Sequence, residues 1–161
     1  FHLALQKMKE IVDSLKDSSF TLVHLAAMQG DAAILKYLLK SEEKKHINAP
    51  VEKTGMAPLH FAVGEGHIEC ATILLDFGAD INQKAKLEAT PLVVATIKGR
   101  TKAVRLLLER GADVLAQSPT AKTAIQWAEE KGHMNCLQLL KEAVDKREIM
   151  TEDSSRVKTE L

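Results

Sequence analysis

The chain is 161 residues long, 45% apolar and only 4% aromatic, and Lys plus Arg and Asp plus Glu both number 22, so its formal net charge is zero. That balance argues against nucleic acid as a main partner, because such binding rests on a basic surface that displaces counterions. No run of 18 apolar residues occurs, which leaves no candidate membrane-spanning helix, and the apolar content suffices for a core of Leu, Ile, Val and Ala.

Leu5, Met8, Val12 and Leu15 step by 3, 4 and 3 residues, a helical stripe. Only 6 residues separate Leu15 from Thr21. No hairpin fits in that gap, so residues 1–18 are expected to form an N-terminal capping helix.

From residue 19 the chain repeats itself. "SFTLVHLAAMQGDAAILKYLLK" (19–40) returns as "GMAPLHFAVGEGHIECATILLDFGADIN" (55–82), "EATPLVVATIKGRTKAVRLLLERGADVL" (88–115) and "AKTAIQWAEEKGHMNCLQLLKEA" (121–143). Aligned on Gly30, Gly66, Gly99 and Gly132, the spacings are 36, 33 and 33, and Thr21, Ala57, Thr90 and Thr123 keep the same intervals. Within the second copy, Pro58 suits the first turn of a short helix over Pro58–Glu65. Gly66 ends it, since a C-terminal glycine takes the left-handed conformation at little cost. A second helix is predicted over Ile68–Phe77, followed by an extended loop or hairpin. Thr90 is the expected N-cap in the third copy. Paired short helices cannot bury their apolar faces alone, whereas stacked copies cover one another.

The second copy, with Ala57-Pro58-Leu59-His60-Phe61-Ala62, Gly66-His67, Leu74-Leu75 and Gly78-Ala79-Asp80-Ile81-Asn82, resembles the ankyrin repeat over roughly residues 20–143. The resemblance implies an all-α solenoid of about four helix-turn-helix-hairpin units. The expected organisation is a cap (1–18), repeats at 19–52, 53–85, 86–118 and 119–145, and a polar tail or linker (146–161). Repeat one lacks the Gly-Ala-Asp exit, and its second helix is expected to run on into Ser41–His46 before a longer loop. The second helix of repeat four is expected to continue through "KEAVDKREI" as the C-terminal cap, with the rest mobile.

The reactive side chains follow the repeat and do not cluster. His24 and His60 are expected to bond to the backbone of adjacent turns, and His67 and His133 to brace the turn between helices. Metal sites need about four convergent ligands, and no catalytic motif is present, so no metal, cofactor or enzymatic activity is expected. Cys70 and Cys136 lie two units apart, about 20 Å at about 8–10 Å between packed helices, too far for a disulfide. They read as buried fillers. Trp127 reads as core filler with its indole N–H bonded at the edge.

The resemblance also implies a concave groove that binds partner proteins, lined by the hairpins and the outer ends of the first helices. Carried over by register, the groove positions are Phe20, Met28, Gln29, Thr54, Met56, Glu65, Leu87, Ile97, Lys98, Lys122, Glu130 and Lys131. Five of these are large and apolar, and are expected to form an exposed stripe. The expected function is a non-enzymatic interaction module, monomeric, cytoplasmic or nuclear, and a piece of a longer protein because Phe1 is no start methionine. Two alternatives are a substrate-selecting or regulatory domain of an enzyme or tetratricopeptide co-chaperone, and lipid-headgroup binding in the groove. Thr159 and Leu161 match a C-terminal PDZ-domain ligand.

Overall fold

A computed structural model describes residues 1–15, 19–117 and 122–159, with backbone alone at 155 and 157–159. Its helices are α1 (His2–Ser14), α2 (Leu22–Gln29), α3 (Ala32–Leu39), α4 (Pro58–Glu65), α5 (Ile68–Asp76), α6 (Pro91–Ile97), α7 (Thr101–Glu109), α8 (Ala124–Lys131) and α9 (Met134–Thr159). No strand occurs among the described residues. The architecture is an all-α repeat solenoid. The inner helices α2, α4, α6 and α8 pack in succession, as do the outer helices α3, α5, α7 and α9 behind them.

Local chemistry sets the helix ends. The Thr90 and Thr123 side chains accept the N–H groups of Val93 and Gln126. Proline opens α4 and α6, where no N–H is needed. Gly66 closes α4 with φ +78°. Gly30 and Gly99 have a second reason to be glycine: a Cβ at Gly30 would meet the His67 ring at 2.6 Å, and one at Gly99 would meet His133 at 2.8 Å.

The core runs unbroken from Leu5 and Met8 of α1 to Leu140 of α9, and no Phe, Tyr or Trp is among its buried residues. Cys70 and Cys136 are free and buried in it. Burial pushes the Cys70 thiol up to about 11, which leaves it protonated and inert.

Two expectations need correction. Helix α3 does not run on into Ser41–His46. It stops at Leu39, and a separate 3-10 turn follows at Glu42–His46. The Ser41 hydroxyl donates to the Leu38 carbonyl and accepts the Glu43 N–H, which ends one helix and starts the next turn. At the other end the helix expected to continue through "KEAVDKREI" runs on to Thr159, through the stretch expected to be mobile. The stretch after Val144 is polar but rich in Glu, Lys and Arg, which favour helix without any buried face.

Candidate functional site: the inner-helix face

The inner helices are held to their neighbours by two ladders. In the first, His60 uses both ring nitrogens. Its Nδ1 accepts the Ala57 N–H (3.0 Å), so the proton sits on Nε2, which donates to the Ala89 carbonyl (3.0 Å). His24 repeats this with the Thr21 N–H (3.1 Å) and the Ala49 carbonyl (2.7 Å). Each histidine thus ties its own helix start to the hairpin that follows. Burial holds the pKa of His60 below the usual histidine value, outweighing its bonds to backbone.

In the second ladder, the residue after the mid-unit glycine donates backwards. His67 Nε2 reaches the Met28 carbonyl (3.0 Å), Arg100 Nε the Gly64 carbonyl (3.0 Å) and His133 Nε2 the Ile97 carbonyl (3.1 Å). These bonds cross between units and do not merely brace the turn inside one. The arginine in this slot was invisible as a substitute, since only its spacing relates it to the two histidines. Among the described residues no group of three or more His, Cys, Asp or Glu could hold a metal ion.

The hairpins also bond to each other. Asn48 Oδ1 accepts the Asp80 N–H and Asn82 Oδ1 the Asp113 N–H, both at 2.9 Å. Lys86 N–H donates to the Thr54 carbonyl at 2.9 Å.

On this frame the expected groove residues divide. Gln29 and Glu65 are exposed at the C-terminal ends of α2 and α4, and Lys98 is exposed at the end of α6. Thr54 is exposed, and its hydroxyl accepts the Met56 N–H. Lys122, Glu130 and Lys131 come together around Trp127: Lys122 Nζ lies 4.7 Å and Lys131 Nζ 6.0 Å from its ring centroid, and Lys122 pairs with Glu130. The hydrogen bond from Lys122 holds the Glu130 carboxyl below the usual carboxylate range. The Trp127 indole N–H, expected to be bonded, is buried and has no acceptor among the described residues.

The apolar stripe is less open than expected. Phe20, Met28, Met56 and Ile97 are half-buried, and Phe20, Met28 and Ile97 pack against the core. Phe20 stacks on His24 (5.3 Å between centroids) and meets Phe61 edge-on (5.7 Å). The Phe20 ring thus folds back onto the neighbouring unit. Leu87 alone of the five is open, at 81% exposure. It and Glu88 both have left-handed backbone, with φ of 60° and 55°. Counting from the helix starts at Ala57 and Thr90, Glu88 occupies the slot that Gly55 (φ +68°) fills one unit earlier. Sequence reading also passed over Phe61 and Val94, which join Trp127 as half-buried inner-helix residues in one register row. Thr159 ends α9, while Leu161 lies outside the described residues.

No described helix is long and apolar enough to cross a membrane. Compared with known proteins, the chain matches the family model for ankyrin repeats (3 copies) over residues 1–85 and 83–153. It is also similar to two curated relatives, each named protein phosphatase 1 regulatory subunit 27. The human one is 43% identical over 44 residues, 27% of this chain and 29% of the relative. The mouse one is 43% identical over 42 residues, 26% of this chain and 27% of the relative. The match therefore spans under a third of either relative.

Proposed function

The chain belongs to the ankyrin-repeat family, and on that premise we propose that it is a non-catalytic adaptor whose inner-helix face and hairpins hold a segment of a partner protein. The observation that carries this reading is Leu87. A large apolar side chain stands 81% exposed on a hairpin whose backbone is left-handed at two consecutive non-glycine residues. Such conformations cost about 1–3 kcal/mol each and collect at functional positions. The hairpin geometry shared with Gly55 accounts for the left-handed backbone at Glu88, but packing gives no reason for the exposure of Leu87, whereas partner binding does. The lysines gathered at Trp127 and the half-buried Phe20, Met28, Met56 and Ile97 extend the same face.

The test is affinity capture on the immobilised chain, followed by direct binding of each captured protein to wild type, Leu87→Asp and a control on the opposite helix layer, Met150→Asp. Both positions are exposed, so stability should move by under about 0.5 kcal/mol. Binding lost at Leu87→Asp and kept at Met150→Asp supports the groove. Equal binding by wild type and Leu87→Asp places the partner elsewhere.

The relatives' shared name favours a second reading, regulation of a phosphatase. A purified protein phosphatase 1 catalytic subunit that binds the chain supports it, and one that fails to bind at micromolar concentration removes it.

A further inference from the structure

The inner-helix face changes character along the array. Apolar side chains run from its first end as far as the third unit: Phe20 against Phe61, with Met28, Met56 and Ile97, all half-buried, and open Leu87 on the hairpin before α6. At its far end stand cations. Lys98 and Lys131 are exposed with no carboxylate in ion-pair range among the described residues, and Lys122 divides itself between Glu130 and the Trp127 ring. The carboxylates on this face are Glu52 and Glu65 nearer the apolar end, Glu88 paired with Lys84, and Glu130, while Glu129 pairs with Lys141 of α9. The ends of α6 and α8 therefore keep a surplus of positive charge within a chain whose net charge is zero.

We propose that the groove is polarised and that its occupant is a protein segment of matching polarity: apolar anchors at one end for the Phe61 end of the face, and Asp or Glu side chains at the other for Lys98 and Lys131. This rests on the adaptor reading above. Complementary charge fixes register and steers encounter more than it adds raw affinity. So the apolar end supplies most of the contact and the lysines set the direction in which the segment lies. Phe61 and Trp127 sit two units apart, about 20 Å at about 10 Å between packed helices. An extended segment covers that distance in about six residues at about 3.3 Å each.

The test is selection from a random 12-residue peptide library displayed on phage, using the full chain, followed by fluorescence anisotropy with the enriched peptides. The expected peptides carry apolar residues at one end and Asp or Glu about six residues away. Their affinity should fall at least tenfold with Lys98→Glu plus Lys131→Glu. It should return when the peptide carboxylates are exchanged for lysines. Raising salt should weaken the wild-type complex. Both lysines are exposed, and an unchanged melting curve confirms that the variant folds. Groove-binding peptides that are neutral or basic, or acidic ones indifferent to the exchange, overturn the polarity while leaving the adaptor reading intact. Enriched peptides that bind Leu87→Asp as well as wild type sink the adaptor reading and this inference with it.

Discussion

Repeats one and two differ from repeats three and four in how their inner helices are anchored. In the first half, buried His24 and His60 each bridge a helix start to the next hairpin through both ring nitrogens. In the second half the same slot holds Val93 and Gln126, so the bridge is gone. What this slot keeps is local: Thr90 and Thr123 cap their helices, and Gln126 accepts its own cap's N–H (2.9 Å) at the surface. The array thus carries both ladders at its beginning, and at its end only the one made by Arg100 and His133. Stability in stacked repeats is a sum of unit and neighbour terms, so the two halves should respond differently to equivalent changes.

The largest effect is expected from placing a charge in each half. Ala62 and Ala128 occupy the same register position, and both are fully buried. An unpaired carboxylate there costs several kcal/mol. Ala62→Asp has a repeat on either side and should abolish the cooperative melt of the whole chain. Ala128→Asp should unfold α8 and α9 and leave a residual transition from the first three repeats. Circular dichroism melts decide: identical curves for the two variants would erase the distinction between the halves.

A smaller contrast lies in the anchors themselves. His60→Ala leaves two buried backbone groups unpaired and should cost about 2–6 kcal/mol, at about 1–3 kcal/mol for each unsatisfied group. Gln126→Ala frees the Thr123 N–H to water and should cost under about 1 kcal/mol. Acid sharpens the comparison. The His60 pKa is lowered in the folded state, so between that lowered value and the ordinary 6.5 the unfolded chain binds more protons than the folded one. Stability from this group is therefore complete above about pH 6.5 and declines as pH falls below it. Denaturant midpoints measured from pH 7.5 down to 5 should drop in wild type and drop less in His60→Gln. Parallel pH curves would mean that His60 is not the group being protonated.

The smallest effect concerns the hairpin tips. Replacing Gly55 is costly, because a Cβ there would meet the Lys86 backbone nitrogen at 2.7 Å. Glu88 holds the same left-handed slot with a side chain. Glu88→Gly should relieve about 1 kcal/mol of backbone strain, minus the exposed pair with Lys84. The net gain is about 0.5 kcal/mol, while Gly55→Ala should lose at least that much. A destabilised Glu88→Gly would mean that the hairpin carries no strain.

Much of this fold was legible because its signals are local. Pro58 and Gly66 mark the ends of α4 within the sequence itself, and the glycine spacing reveals the stack. The errors came where a local signal pointed one way and context another. The residues after Ile149 offer no buried face to signal a helix, although several of them favour helix on their own. Ser41 ends α3 through two hydroxyl bonds that a run of charged residues conceals. For the groove, register gave the slots but not the exposure. Nothing in the sequence says that Phe20 turns onto His24 and Phe61 while Leu87 stands free, since that depends on which neighbouring unit offers a surface. The gathering of Lys122 and Lys131 over Trp127 was hidden for the same reason.

The most direct test of partner binding on the inner-helix face is an amide chemical-shift map of the ¹⁵N-labelled chain titrated with a captured partner segment. The account predicts the largest shifts at the C-terminal ends of α2, α4, α6 and α8 and in the hairpins at 51–56 and 85–89. Shifts concentrated on the outer layer, in α3, α5, α7 and α9, would contradict it.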